Sequence, residues 1–288
     1  MWSSQYGLTR EKKLFGAIKG KITSKQAAVD LAKKLNKAAR LYAAILHPEH
    51  EFWNQYGATA RANMTTLNTL RMTQLRPMIL AILTKFDKSS VKQSMNMLVS
   101  WAVRSLISGE LGSSTLEDLY SEKASDITAD KIRDVEALAS AARSSLPNDI
   151  QFREAFRTAR VSKNYLARYY LQALERQTGG KQPQLVANPN PDEVNLEHIL
   201  PQSPNAAHWS IDPDQAEAYC NRIGNLVLLT ADENSRLGNG SFETKRAVFK
   251  TALLKLTADV AKFSTWGPKQ IDDRQTNLAQ LAVAAWPV

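Results

Sequence analysis

Three strings near the C-terminal end carry residue types that can do chemistry together: Glu197-His198-Ile199-Leu200-Pro201-Gln202, Ile223-Gly224-Asn225-Leu226-Val227-Leu228-Leu229 and Asp232-Glu233-Asn234. A neutral imidazole is the natural proton acceptor near neutral pH, and His198 is one of only four histidines in the chain. Glu197 beside it offers a carboxylate, and Asn234 offers an amide oxygen. Such oxygens suit a hard cation, Mg²⁺ or Mn²⁺, whose shell is completed by water and phosphate oxygens. Asn225 opens the second apolar run, where it can hydrogen-bond backbone across a strand pair and fix the loop carrying His198. Phosphodiester hydrolysis needs an attacking water, charge neutralisation at phosphorus and help for the departing oxyanion. Each string alone also has an ordinary reading: a chance Glu-His pair, a turn before a buried strand, a polar helix residue. Their co-occurrence in this order favours a site.

These residues need elements to hold them. Adjacent residues of a regular strand face opposite ways, so Glu197 and His198 share a site only if the strand ends there. Pro201, three residues on, makes that ending reasonable. Strands are expected at Glu193 to Leu200 and Arg222 to Thr230, with a short helix around Gln215 to Tyr219 between them. Amphipathic helices are expected over Phe242 to Leu256 and Gln270 to Trp286.

Everything before them reads as helix. Ser24 caps a run through Leu31, Leu35 and Ala39. A second run crosses Thr65 to Phe86, with Pro77 starting a new helix. Ser89 or Ser90 opens a third, which ends near Gly109 and Gly112. Spans from Thr115 to Ile127, Thr128 to Ser144, Asn148 to Arg160 and Ser162 to Gln177 follow. Glycines and prolines cluster between Thr178 and Pro191, the clearest boundary. The expectation is a mainly α protein, with a basic helical domain over 1–180 and a small α+β domain over 190–288.

Charge divides along the same line. Residues 1–190 hold 28 basic and 16 acidic residues, whereas 191–288 hold 9 and 12. A polyanionic partner for the first part fits this excess, since Lys and Arg displace counterions from phosphates. A solvated helical surface fits it equally. The single cysteine, Cys220, excludes a disulfide framework and a Cys-based zinc knuckle, and points to a reducing cytoplasm. No apolar run reaches a membrane span, and Met1 to Phe15 lack the apolar core of a signal peptide. His47-Pro48-Glu49-His50 has a metal-like spacing but no further His or Cys nearby, and reads better as a helix end. Trp53, Trp101, Trp266 and Trp286 read as core. Tyr165, Tyr169 and Tyr170 with Arg160, Arg168 and Arg176 read either as a grip on a DNA backbone or as a packing helix.

The string from Glu197 to Gln202, Gly224-Asn225-Leu226 and Asn234, followed by Phe242 and Lys245, resembles the HNH (His-Me finger) domain that closes GmrSD-like type IV restriction enzymes. The HNH domain of CRISPR effector nucleases is similar in the same features. The resemblance covers about residues 190–256, and the final letter is Asn234 rather than His, a variant familiar in that superfamily. Leu98 to Ile107 and Arg168 to Leu171 resemble, more weakly, the helical part that precedes such a domain. The resemblance implies a ββα-metal fold, with His198 as general base and Asn225 orienting its loop. It implies one Mg²⁺ or Mn²⁺ per site on Glu197 and Asn234, and a phosphate near Lys245 and Arg246. It also implies double-stranded DNA as substrate and a nucleotide-dependent sensor, either preceding this region or in a separate chain. No Gly-rich phosphate-binding motif is present here. The expected activity is a metal-dependent DNA endonuclease that nicks, in a bacterial anti-phage or modification-dependent restriction system. Two other readings are a non-catalytic DNA-binding module with a remnant HNH fold, and a nuclease directed at RNA.

Overall fold

The computed structural model describes residues 1–109, 112–179, 193–235, 237 and 240–288. They form two compact units, Met1–Asn148 and Asp149–Pro287.

The first unit is helical. It runs α1 (Trp2–Tyr6), α2 (Glu11–Lys21), α3 (Lys25–Leu46), α4 (Gly57–Thr69), α5 (Arg76–Lys85), α6 (Lys88–Ser108), α7 (Ser113–Thr128) and α8 (Val135–Ala142). Ser24 caps α3 as expected, its Oγ accepting from the Ala27 N–H. Pro77 lies in the first turn of α5, where its missing N–H costs nothing. The cap of α6 is Asp87 rather than Ser89 or Ser90: its carboxylate accepts from the Ser90 N–H. The helix ends at Gly109, whose φ of 62° suits glycine. The expected helix from Thr128 to Ser144 begins seven residues later, because Asp134 caps it by accepting from the Ala137 N–H. Trp53, Trp101, Met95, Leu98, Tyr120 and Leu75 are buried in this unit.

The second unit takes in two helices that the sequence reading placed with the first part, α9 (Asp149–Thr158) and α10 (Asn164–Gln177). The reason is aromatic: Phe152, Phe156, Tyr169 and Tyr170 all pack against Trp286. The expected boundary at 180–190 lies outside the described residues. Next come β1 (Val194–His198), α11 (Pro213–Cys220), β2 (Leu226–Thr230), α12 (Ala231–Ser235), α13 (Phe242–Phe249), α14 (Lys255–Ala258) and α15 (Pro268–Ala285). Strands β1 and β2 pair antiparallel, with His198 opposite Leu226 and Val194 opposite Thr230.

Two details differ from the sequence reading. The second strand starts at Leu226, since Ile223–Asn225 is a 3₁₀ turn. That turn lies so close to α15 that a Cβ on Gly224 would overlap the Ile271 carbonyl and come within 2.8 Å of Gln275 Cβ. The helix expected through Leu256 ends at Phe249. There Glu233 accepts from the Leu253 N–H, and Glu175 accepts from those of Lys255 and Leu256, so two buried carboxylates break one helix and start the next. Among the described residues no helix is long and apolar enough to cross a membrane.

Candidate active site

His198 is the last residue of β1, so the strand ends where the Glu197-His198 pair requires it to. The two side chains find different partners. Glu197 turns to α13, where its Oε1 accepts from Lys245 Nζ at 2.6 Å. The half-buried His198 ring turns to the end of α11: its Nε2 lies 3.4 Å from Asn221 Oδ1 and 3.3 Å from Gln202 Nε2. One ring nitrogen cannot donate to the first and accept from the second. If Asn221 accepts, Nε2 carries the proton and the lone pair sits on Nδ1. Burial lowers the imidazole pKa below its ordinary 6.5, Lys245 lowers it too, and Asn221 and Glu197 oppose the shift. The ring is therefore neutral at pH 7, as a base must be.

Asn225 is fully buried. Its Oδ1 accepts from the Leu200 N–H at 2.8 Å and from Trp266 Nε1 at 3.0 Å. Its Nδ2 donates to the carbonyls of Leu200 and Cys220, both at 2.9 Å. All four hydrogen-bonding positions of the amide are used, and the backbone bond from Ile199 N–H to its own carbonyl adds a fifth tie. With no exposed surface, Asn225 positions the stretch after His198 and touches no ligand. Beneath it lies an apolar cluster including Ile199, Leu200, Trp209, Val227, Leu229, Phe242 and Trp266.

Lys245 sits elsewhere than a phosphate contact requires. It is 1% exposed, and its ammonium also donates to the His198 carbonyl at 2.8 Å. An amphipathic helix with Phe242 and Phe249 inward carries Lys245 inward with them. Arg246 is half-buried, its Nε donating to the Ala261 carbonyl. Asn234 is half-buried in α12, a short helix closed by a reciprocal capping pair of Thr230 and Glu233.

A carboxylate and an amide oxygen are the donor types a hard cation takes. Glu197 uses one oxygen on Lys245, and no hydrogen bond to its Oε2 occurs among the described residues. Mg²⁺ needs few protein ligands, since it keeps several waters. Among the described residues no group of three or more His, Cys, Asp or Glu is placed to hold a metal ion.

Other singled-out residues resolve simply. His47 pairs with Glu49, and His50 caps the following 3₁₀ turn by accepting from the Phe52 N–H. Cys220 is buried. The tyrosine-rich helix α10 turns Arg168, Tyr170 and Leu171 inward. Asn221 and Gln202 were not singled out in the sequence. Asn221 stands four residues before Asn225, where only the fold reveals that it faces His198.

No curated protein matches this chain. Residues 146–281, just under half of its length and nearly coincident with the second unit, match the family model of the GmrSD restriction endonucleases, C-terminal domain, which supports a GmrSD-like type IV restriction enzyme C-terminal region here.

Proposed function

We propose that the second unit is an HNH-type (ββα-metal) DNA endonuclease of a restriction or anti-phage system, with His198 as the general base. The observation that carries the reading is the His198 imidazole itself. It is kept neutral by burial and stands at the end of β1 on a loop pinned by the fully bonded Asn225, inside the region that matches a restriction-endonuclease family. With Asn221 accepting from Nε2, His198 Nδ1 takes the proton of a water that attacks phosphorus in line with the leaving 3′ oxygen. Asn221 is then a positioning residue that selects the tautomer, and Lys245 holds the Glu197 carboxylate in place. Mg²⁺ or Mn²⁺ held by Glu197 and Asn234 would supply charge neutralisation at the phosphate. A single site cuts one strand, so nicking is the expected outcome.

The ion pair of Glu197 with Lys245 favours one rival. A carboxylate already neutralised by a buried ammonium is a weaker cation ligand, as in a remnant fold that only binds DNA.

Supercoiled plasmid, incubated with the intact chain or His198→Ala in Mg²⁺, Mn²⁺ or EDTA, separates the two. The enzyme reading expects metal-dependent relaxation that disappears in the variant. Equal cutting by both proteins sinks the assignment of the base, and no cutting by either under any metal means that the site is a remnant or that the sensor must switch it on. An RNA substrate run alongside checks the choice of nucleic acid.

A further inference from the structure

We infer that α2 and α3 form a docking surface for the backbone of duplex DNA, outside the candidate active site; the choice of partner rests on the nuclease reading.

Charge is concentrated here. Residues 1–46 hold ten Lys and Arg against two acids, Glu11 and Asp30, an excess of eight in a chain whose net charge is +9. Among the described residues none of the ten is in an ion pair. Lys21 has only the face of Tyr6, 4.3 Å from its ammonium. Some exposed cations elsewhere are matched, as in Lys131 with Asp126, Lys262 with Asp259 and Lys269 with Asp273, and those unmatched among the described residues, such as Lys88, Lys92 and Lys250, are not gathered in one row of three.

Placement makes the cations usable. Helix α2 buries no residue, and α3 buries only Ala44 and Ile45. Lys33, Lys37 and Arg40 follow the i, i+4, i+7 spacing that puts them in one stripe, and all three are exposed. Exposed Leu35, Tyr42 and Leu46 fall on the other side of the helix at the same periodicity, whereas exposed Val29 stands one turn before Lys33 in the row, so the uninterrupted cationic stripe runs from Lys33 to Arg40. Within the 22 residues of α3, the stripe from Lys33 to Arg40 spans about 10 Å, enough for two or three successive phosphates of one strand. Lys34 and Lys37 also line a cleft with Gln5, Thr84 and Thr128, which offers hydroxyl and amide groups beside the ammonium groups.

Unpaired cations in a row are what a regular polyphosphate selects. Each phosphate neutralised releases condensed counterions, an interaction that reads charge spacing and not base sequence. An acidic protein or an anionic membrane would offer less regular charge.

The test is fluorescence anisotropy of a labelled 30-base-pair duplex, in EDTA across a salt series, with the full chain. Lys33→Gln/Lys37→Gln/Arg40→Gln is compared with Lys131→Gln/Lys262→Gln/Lys269→Gln, which removes equal charge from paired, exposed positions. Circular dichroism checks that both remain folded. The first variant is expected to lose at least tenfold in affinity at low salt. Its log–log salt slope should fall by roughly two to three, at about 0.9 per phosphate contact. The second should change by less than threefold. Equal losses in both variants, or none in the first, overturn the inference. So does a first variant that keeps its DNA affinity while losing binding to phosphatidylserine vesicles or polyglutamate. The plasmid assay separates this from the nuclease reading. Selective loss of DNA binding in a chain that cuts nothing upholds the surface without the nuclease. Cutting that needs His198 but ignores the stripe does the reverse.

Discussion

Lys33, Lys37 and Arg40 stand in water with no carboxylate opposite, whereas Lys245, Arg222 and Arg274 of the second unit are withdrawn from water and spent on the fold. Arg274 is buried and donates to the carbonyls of Gly224, Leu226 and Leu256. Arg222 joins Gln275, Asp272 and the Arg157 carbonyl. The same chemistry therefore does two jobs. Exposed cations cost little to place and leave the fold undetermined. A buried guanidinium is expensive to desolvate, so it persists only where its donors are filled, and in filling them it fixes the turn that carries Asn225. Net charge by region does not separate the two kinds; partner and burial do.

The comparison breaks first, if it breaks, at Arg274. Arg274→Met removes three hydrogen bonds and leaves three buried carbonyls short of a donor. The expected loss is roughly 3–5 kcal/mol in urea denaturation. Burial brings the guanidinium pKa down to about 10, so it is still charged at neutral pH and charge-assisted bonds are what the substitution deletes. A loss under about 1 kcal/mol would mean that buried and exposed cations are not energetically distinct here.

Lys245 sharpens the contrast, because its partner lies at the edge of water. Lys245→Met leaves the Glu197 carboxylate, whose side chain is 24% exposed, without its ammonium. A cost of about 1–3 kcal/mol is expected, below that of a wholly buried pair because water reaches Glu197. Adding Glu197→Gln should recover part of it, and the coupling is read from a double-mutant cycle. Two additive effects would show that the 2.6 Å contact contributes nothing.

These two cations also mark how far sequence reaches. The presence of the two strands, the cap at Ser24, the start at Pro77 and the apolar run of β2 all follow from local pattern, although the first strand stops at His198, two residues short of the expected Leu200. The partners of Asn225 divide: the Leu200 strap is local to the strand pair, but Trp266 arrives from a distant segment. Lys245 was expected to face outward, and no local signal tells an exposed helical lysine from one turned in on Glu197. The end of α13 was missed for a similar reason, since Glu175 and Glu233 reach it from elsewhere in the chain. Local patterns locate elements; buried polar pairs depend on the finished packing.

His198 gives a smaller effect with a definite sign. Its folded pKa lies below the unfolded 6.5, so the unfolded chain takes up the proton first. Its contribution to stability is complete above pH 6.5 and is lost as pH falls from there through the folded pKa. His198→Gln should reduce the acid sensitivity of the midpoint between pH 7 and 5, measured by urea denaturation. In the wild-type chain the acid limb of plasmid cutting should fall below pH 6.5. A limb above that value would mean that a nearby carboxylate outweighs burial at this ring.

The smallest effect is the most discriminating for the comparison. Replacing Lys33, Lys37 and Arg40 together by Gln should move the thermal midpoint by no more than about 2 °C, because exposed side chains without partners carry little folding energy. Removing like charges can even raise the midpoint slightly at low salt, as self-repulsion among the ten N-terminal cations falls. Glutamine keeps the helix propensity close to that of Lys and Arg, so α3 itself is not a confounder. A large drop would place these three residues in the structural class of Arg274. Near-neutral stability leaves a row of charges that the fold does not use. Maintaining such a row against repulsion then needs an explanation outside folding, and a polyanion bound along α3 supplies it.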